Sequence, residues 1–153
     1  MPEPSADSSI DLHEYLGGPT FSPTTPHPVT GETIPITIGH EFSGTVSGLG
    51  EGVSGYEIGQ SVVVQPNIYD GTCAACQRGL INVCHSAGFV GLSGWGGGLS
   101  GAVVVPADYV LAFPKDVGLD IGALVEPLSV GWHAVSRSPL KKDSSVLILG
   151  GGP

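Results

Sequence analysis

The sequence predicts a mainly β fold of short strands, followed near the C-terminus by one or two helices and a last short strand. The first observation is the abundance of turn formers, with 25 glycines and 13 prolines among 153 residues, above the usual shares of about 7% and about 5%. The second is a series of short apolar runs, rich in β-branched residues, between these turns. The third is a change to helical spacing of the apolar residues after Asp120.

The strand predictions follow an N-terminal arm. Residues 1–33 are rich in proline, serine, threonine and glycine, and this composition predicts irregular structure. Glycine is dense over residues 91–101, where we predict a loop. Five runs have the composition of strands, namely 34–38, 42–46, 61–64, 102–105 and 109–113.

The helix prediction covers residues 121–135. Apolar side chains recur there at the spacing of a helix or of two short helices. Pro127 is expected to start the second helix, because proline suits the first helical turn. Ser138-Pro139 is expected to end it, because the residue before a proline disfavours helical geometry.

The last apolar run, Val146–Leu149, leads directly into Gly150-Gly151-Gly152. A strand that runs into G-x-G is how a dinucleotide-binding βαβ unit begins, so Gly150 and Gly152 are candidate cofactor-binding residues. The third glycine of that motif would fall beyond Pro153. The 153 residues therefore contain only the start of such a unit.

Charge and hydropathy argue against two classes of function. The net charge of −9, from 5 basic and 14 acidic residues, argues against binding to nucleic acid. No apolar run approaches the 18 residues of a membrane span, and the N-terminus has no secretory pattern, so we expect a cytoplasmic protein. Only 12% of residues are charged. Either another domain or subunit covers part of the surface, or the surface is polar but uncharged.

Three cysteines give the strongest chemical signal, as Cys73-x2-Cys76 followed by Cys84. Structural zinc takes four ligands in pairs on short turns, and in a cytosolic setting this spacing indicates a metal more often than a disulfide. Asp70 and His85 are both candidates for the fourth ligand. The alternative is a set of buried or inert thiols.

A second group of candidate ligands is less specific. Glu126 lies in the apolar stretch 123–128, where a carboxylate costs several kcal/mol unless it is paired or bound to a metal. His40 follows an apolar run, and its spacing alone is explained as well by an ordinary core or surface histidine. Together, His40 and Glu126 could be ligands of a catalytic zinc, which needs three protein ligands and one open position.

Taken in order, these motifs resemble the zinc-dependent medium-chain alcohol dehydrogenases, in particular the 2,3-butanediol and sorbitol dehydrogenase branch. The resemblance covers residues 11–153 and rests on Asp11-Leu12-His13-Glu14-Tyr15, Gly39-His40-Glu41, the cysteine motif, Gly91–Gly98, Val125–Val130 and Gly150-x-Gly152. It implies a GroES-like β-barrel catalytic domain over 34–137, with a zinc lobe at 69–88, and the start of a Rossmann domain at 138–153. It also implies hydride transfer between NAD(P) and a secondary alcohol or polyol, and it allows a homo-oligomer.

The resemblance further implies individual roles. His40 and Glu126 would bind the catalytic zinc, with Glu41 able to approach it. Asp11 would orient the ligand histidine, and His13 would relay a proton to solvent. The structural zinc would be held by four residues of the lobe: Asp70, Cys73, Cys76 and Cys84.

Two departures from the family pattern concern the catalytic zinc. Where the family has Cys-Gly-Ser/Thr, this chain has Ser8-Ser9-Ile10, so a hydroxyl replaces a thiolate ligand and Ile10 replaces the relay hydroxyl. The opening strands and most of the cofactor domain also fall outside the 153 residues. We therefore expect a partial chain that turns over no alcohol and binds no NAD(P) by itself. The alternative is a non-catalytic zinc-binding module with a structural or partner-binding role.

Overall fold

The computed structural model describes residues 9–150, and its strands form two small antiparallel sheets. The first sheet has the order β1-β2-β5 and the second pairs β3 with β4. The strands are β1 (Ser43–Thr45), β2 (Ser61–Val64), β3 (Asn67–Ile68), β4 (Gly88–Phe89) and β5 (Val110–Ala112). In the central strand β2, Val62 and Val63 are both buried, which places this run of valines inside rather than at an edge.

The core lies beside the second sheet. Ile68 and Val90 are fully buried and form its centre with Tyr109. The Tyr109 ring stacks on Tyr69 with a centroid distance of 5.6 Å and meets Trp95 edge-on at 5.4 Å. Both are favoured aromatic geometries, worth about 0.5–1.5 kcal/mol per pair beyond the area they bury. The core therefore joins the second sheet to the segment that enters β5.

Three α-helices are described, and the second of them packs on the first sheet. They are α1 (Ser9–Gly17), α2 (Leu119–Ala123) and α3 (Val125–Arg137). Gly122 of α2 lies so close to β1 that an added Cβ would come within 2.8 Å of the Ser43 Cβ. None of the α3 residues is buried. No helix within residues 9–150 combines the length and the apolar character that crossing a bilayer requires.

Several local predictions are confirmed by these elements. β1, β2 and β5 lie within or on the predicted runs 42–46, 61–64 and 109–113, and α2 and α3 cover the predicted helical segment. Helix α3 ends at Arg137, immediately before the predicted stop at Ser138-Pro139, but it begins at Val125, two residues before the predicted start at Pro127.

Three runs predicted as strands form none. Residues 34–38, 102–105 and 146–149 have no strand assignment, although their composition is that of strands. The carbonyl of Ile38 accepts a hydrogen bond from the Leu99 N–H at 3.1 Å, so its partner is a loop rather than a strand. The side chains of 146–149 are 59–89% exposed. An extended run becomes a strand only when another segment pairs with it.

The arm predicted as irregular contains helix α1. Its two buried side chains, Asp11 and Glu14, are carboxylates. Periodicity of apolar residues therefore gave no sign of this helix, because its inner face is polar.

Candidate metal centres

Four candidate ligand atoms converge in the cysteine lobe. Asp70, Cys73, Cys76 and Cys84 each place one ligand atom within 4.8 Å of the others. The Cys73 and Cys84 sulfurs are 3.9 Å apart, close to the separation of about 3.8 Å between thiolates on one tetrahedral zinc with Zn–S bonds of about 2.3 Å. Of the residues described, this group includes Asp70 and not His85.

Backbone N–H groups are directed at the sulfurs of the lobe. The Cys76 N–H approaches the Cys73 sulfur at 3.5 Å, and the N–H groups of Asp70 and Ser86 each approach the Cys84 sulfur at 3.3 Å. The Cys76 N–H is the main reason that the pKa of Cys73 falls to about 7 from 9.0, whereas burial raises the pKa of Cys76 to about 12. A cation would be needed for all the thiols to ionise together.

The Asp70 carboxylate is fixed by the turn that follows it. Its Oδ1 accepts hydrogen bonds from the N–H of Cys73 at 2.8 Å and from that of Thr72 at 2.7 Å. These donors, that of Cys73 first, hold the pKa of Asp70 well below its usual value. The lobe thus offers an ionised carboxylate beside three thiols, a donor set that suits zinc.

The second centre brings together His40, Glu41 and Glu126, whose ligand atoms also lie within 4.8 Å of one another. His40 is buried at 4% exposure, and both glutamates are half-buried. Glu126 lies in the first turn of α3. Burial raises the pKa of Glu126, although the charge of His40 opposes this effect. One imidazole and two carboxylates form a set that can hold a divalent metal and leave a position open.

Asp11 of α1 holds the segment that carries His40. Its Oδ1 accepts the Gly39 N–H at 3.1 Å, and its Oδ2 lies 3.4 Å from His40 Nδ1. The second contact is long for a hydrogen bond, and Nδ1 has no better partner among the described residues. A carboxylate beside Nδ1 leaves Nε2 as the nitrogen for a metal. Burial lowers the pKa of His40, but Asp11, then Glu126 and Glu41, raise it more.

A glycine loop packs against the next peptide, between Gly39 and His40. The carbonyl of Gly39, a residue with φ of +106°, accepts the Gly98 N–H at 2.7 Å. Gly91 approaches so closely that an added Cβ would lie 2.1 Å from the Gly39 oxygen. The sequence predicted only a loop here. The density of glycine was the available signal for this backbone-to-backbone contact beside His40.

The other predicted site residues that the structure describes belong to neither cluster. His13 is exposed on α1, and Gly150 has φ of +96° next to the exposed run 146–149. Ser8 and Gly152 lie outside the described residues. The proton relay, the nucleotide contacts and the replacement of the thiolate therefore remain predictions.

The fold and the two centres define a class, that of the zinc-type alcohol dehydrogenase domains. Residues 9–115 match the family described as alcohol dehydrogenase GroES-like domain, and the chain belongs to this family. The fold class and the resemblance predicted from the sequence are thereby confirmed.

Individual relatives narrow the comparison. Over 94% of its length the chain is 45% identical to (R,R)-butanediol dehydrogenase of Saccharomyces cerevisiae, and it covers 42% of that protein. The X-ray structure of 2R,3R-butanediol dehydrogenase from Bacillus subtilis matches with a TM-score of 0.79 and 47% identity, over 86% of this chain and 37% of that one. A cobalt- and zinc-bound alcohol dehydrogenase from Pyrobaculum aerophilum matches with a TM-score of 0.70 and 26% identity, over 89% of this chain and 38% of that one. The chain thus spans less than half the length of these relatives.

Proposed function

We propose that residues 9–150 form the metal-binding part of a zinc-dependent dehydrogenase that oxidises a small secondary alcohol, of the vicinal diol type, to a ketone. The observation that carries this proposal is the convergence of His40, Glu41 and Glu126 beside Asp11. The identity to butanediol dehydrogenases over 94% of the chain supports the substrate class.

The two centres have different roles, and the chemistry is assigned to the second. At the second centre, His40, Glu41 and Glu126 would hold a zinc that would act as a Lewis acid on the alcohol oxygen, and NAD(P) would accept the hydride. His40 presents Nε2 because Asp11 lies beside Nδ1. Glu126 and Glu41 contribute oxygen atoms and negative charge, and one position stays open for substrate. We assign the transfer of a proton to solvent to His13, and its exposure and its place two residues from Asp11 support this assignment.

The cysteine lobe has a structural role in this proposal. Four protein ligands close the coordination sphere, so no position is left for substrate. Asp70 completes the set of three cysteines, since it and not His85 joins them. Bound zinc would hold the two turns of the lobe together, because both contribute ligands.

Cofactor binding is expected to need more than these 153 residues. The run 146–149 and the glycines Gly150 and Gly152 would supply the first strand and the first turn for NAD(P). A complete βαβ unit takes about 30 or more residues. We therefore assign catalysis to the longer polypeptide that the relatives exemplify.

Titration of the metal-free chain with Co²⁺ tests the two-centre proposal. We expect a tight class of sites with intense thiolate charge-transfer bands and a weaker class with only weak visible bands, since its ligands are imidazole and carboxylate. His40→Ala should abolish the weaker class and leave the thiolate bands unchanged. A weaker class that survives in both His40→Ala and Glu126→Gln would refute the proposal.

A further inference from the structure

Helix α1 is attached to the rest of the protein by carboxylates rather than by apolar side chains. Asp11 and Glu14 are 6% and 8% exposed, whereas Leu12, Tyr15 and Leu16 are 54%, 79% and 71% exposed. Residues three apart lie on one face of a helix, so the inner face of α1 carries both carboxylates. Hydrophobic burial therefore contributes little to holding this helix in place.

The Glu14 carboxylate accepts hydrogen bonds from three backbone N–H groups of the segment after α1. Ser22 donates to Oε1 at 2.8 Å, Phe21 donates to Oε2 at 3.0 Å, and Thr20 reaches both oxygens at 3.1 and 3.0 Å. Burial alone would raise the pKa of Glu14, but the donors outweigh it and set the pKa at about 2. The anionic form is thus the one that the loop binds.

The segment held by Glu14 is itself hydrogen-bonded to residues 33 and 34. The Pro23 carbonyl, next to Ser22, accepts the Ile34 N–H at 2.9 Å and the Thr33 hydroxyl at 2.8 Å. From Ile34 the chain runs directly to Gly39 and His40. Glu14 therefore ties the C-terminal end of α1 to the start of the segment that carries the metal ligand.

Asp11 makes the second attachment of the same helix, about 4.5 Å earlier along its axis. It contacts Gly39 and His40, and its contact with the imidazole is already long at 3.4 Å. If the attachment at Glu14 is lost, the C-terminal half of α1 can rotate or lift, because the exposed side chains of Leu12, Tyr15 and Leu16 do not hold it. The Asp11 contacts would be the first to break.

We propose that Glu14 is a positioning residue for the metal ligand His40 and acts through α1 and Asp11. The proposal rests on the metal centre proposed above. Glu14 itself touches neither the metal ligands nor the open position. Its function is to keep Asp11 against Gly39 and His40, so that the imidazole is held before a metal arrives.

The test compares Glu14→Gln with the matched control Glu51→Gln, since Glu51 is exposed. The glutamine side chain has the same shape as glutamate, but its NH2 group is a hydrogen-bond donor and would face backbone N–H groups that are also donors. In the metal-free chain, hydrogen exchange of the Gly39 amide should speed up about tenfold in Glu14→Gln, while the Val63 amide in β2 changes less than twofold. Equal acceleration at both amides, or none at Gly39, would overturn the proposal. If Glu14→Gln does not fold, Glu14→Asp is measured in the same way.

Metal affinity supplies the second measurement. Co²⁺ affinity at the weaker class should fall about tenfold in Glu14→Gln, within the range of 10- to 100-fold for partners that orient metal ligands, with the thiolate bands unchanged. Once Asp11→Asn is present, Glu14→Gln should have little further effect, because both act on one contact. Additive losses, or unchanged affinity, would contradict a role through Asp11. If the parent chain lacks the weaker class, the proposed function fails, and the Gly39 amide alone decides whether Glu14 positions α1.

Discussion

Gly91→Ala is expected to displace the backbone that carries His40. Gly91 has φ of +85°, and the new Cβ would lie 2.1 Å from the Gly39 oxygen and 3.1 Å from the His40 nitrogen. Ordinary contacts begin at 3.4 Å, so the two segments must separate by more than about 1 Å, a shift that a close-packed interior resists.

The size of the effect follows from two contributions. The left-handed conformation costs a residue with a side chain about 1 kcal/mol. Separation of the segments removes the bond from the Gly98 N–H to the Gly39 carbonyl, worth about 1 kcal/mol, and disturbs the packing around it. We expect a total loss of about 2–4 kcal/mol in the free energy of unfolding.

Gly52→Ala is the matched control for this substitution. Gly52 has a similar φ of +78°, but an added Cβ would meet nothing within 4 Å. It should therefore lose only the conformational contribution of about 1 kcal/mol. Urea unfolding measures both variants, and Co²⁺ titration should show that Gly91→Ala loses the weaker class of site and keeps the thiolate bands. Equal destabilisation by the two substitutions, or an intact His40 centre in Gly91→Ala, would refute the reasoning.

Three further predictions concern the lobe, the arm and Glu14. The purified chain should hold about one tightly bound zinc. Metal analysis should find this zinc missing from the double variant Cys73→Ser, Cys76→Ser, and an unchanged zinc content would argue against the lobe site. Ser8→Cys with Ile10→Ser should raise the zinc content towards two per chain under equal loading, because a thiolate binds zinc better than a hydroxyl, and an equal content would contradict the alignment of this stretch. Because the folded pKa of Glu14, about 2, lies below its ordinary 4.5, its stabilisation of about 1–2 kcal/mol is present above pH 4.5 and is lost as the pH falls towards 2. Urea unfolding of the parent and Glu14→Gln should therefore differ at pH 7 and converge near pH 2, and a constant difference would refute this.

The local pattern of apolar residues was enough to predict elements that pair with nearby segments or that have a clear run or helical spacing. The run of valines in β2 and the helical spacing after Asp120 both gave the right element. The same composition failed at 34–38 and 146–149, since a strand also needs a partner segment, and no local pattern specifies one. Tertiary contacts therefore decided which of the apolar runs became strands.

The convergence of side chains in the cysteine lobe was predictable from the sequence because the candidate ligands are close in the chain. Spacing alone nominated Cys73, Cys76 and Cys84 and left Asp70 and His85 as alternatives for the fourth position. Only the folded turn, in which backbone N–H groups orient the Asp70 carboxylate, placed Asp70 with the thiols.

By itself, the sequence determined the family, the residue types of both centres and the anomaly of a carboxylate at Glu126 in an apolar stretch. The tertiary structure alone decided that Asp11 and Glu14 hold a helix whose apolar side chains are exposed. It also brought together His40 and Glu126, which the sequence had only nominated as ligands of one metal. For Asp11 and Glu14, the physical reason is that their carboxylates accept hydrogen bonds from backbone N–H groups, which every residue except proline possesses. No sequence pattern therefore indicates which backbone N–H group such a carboxylate binds. The folded path of the chain decides which of these groups lie within hydrogen-bond distance.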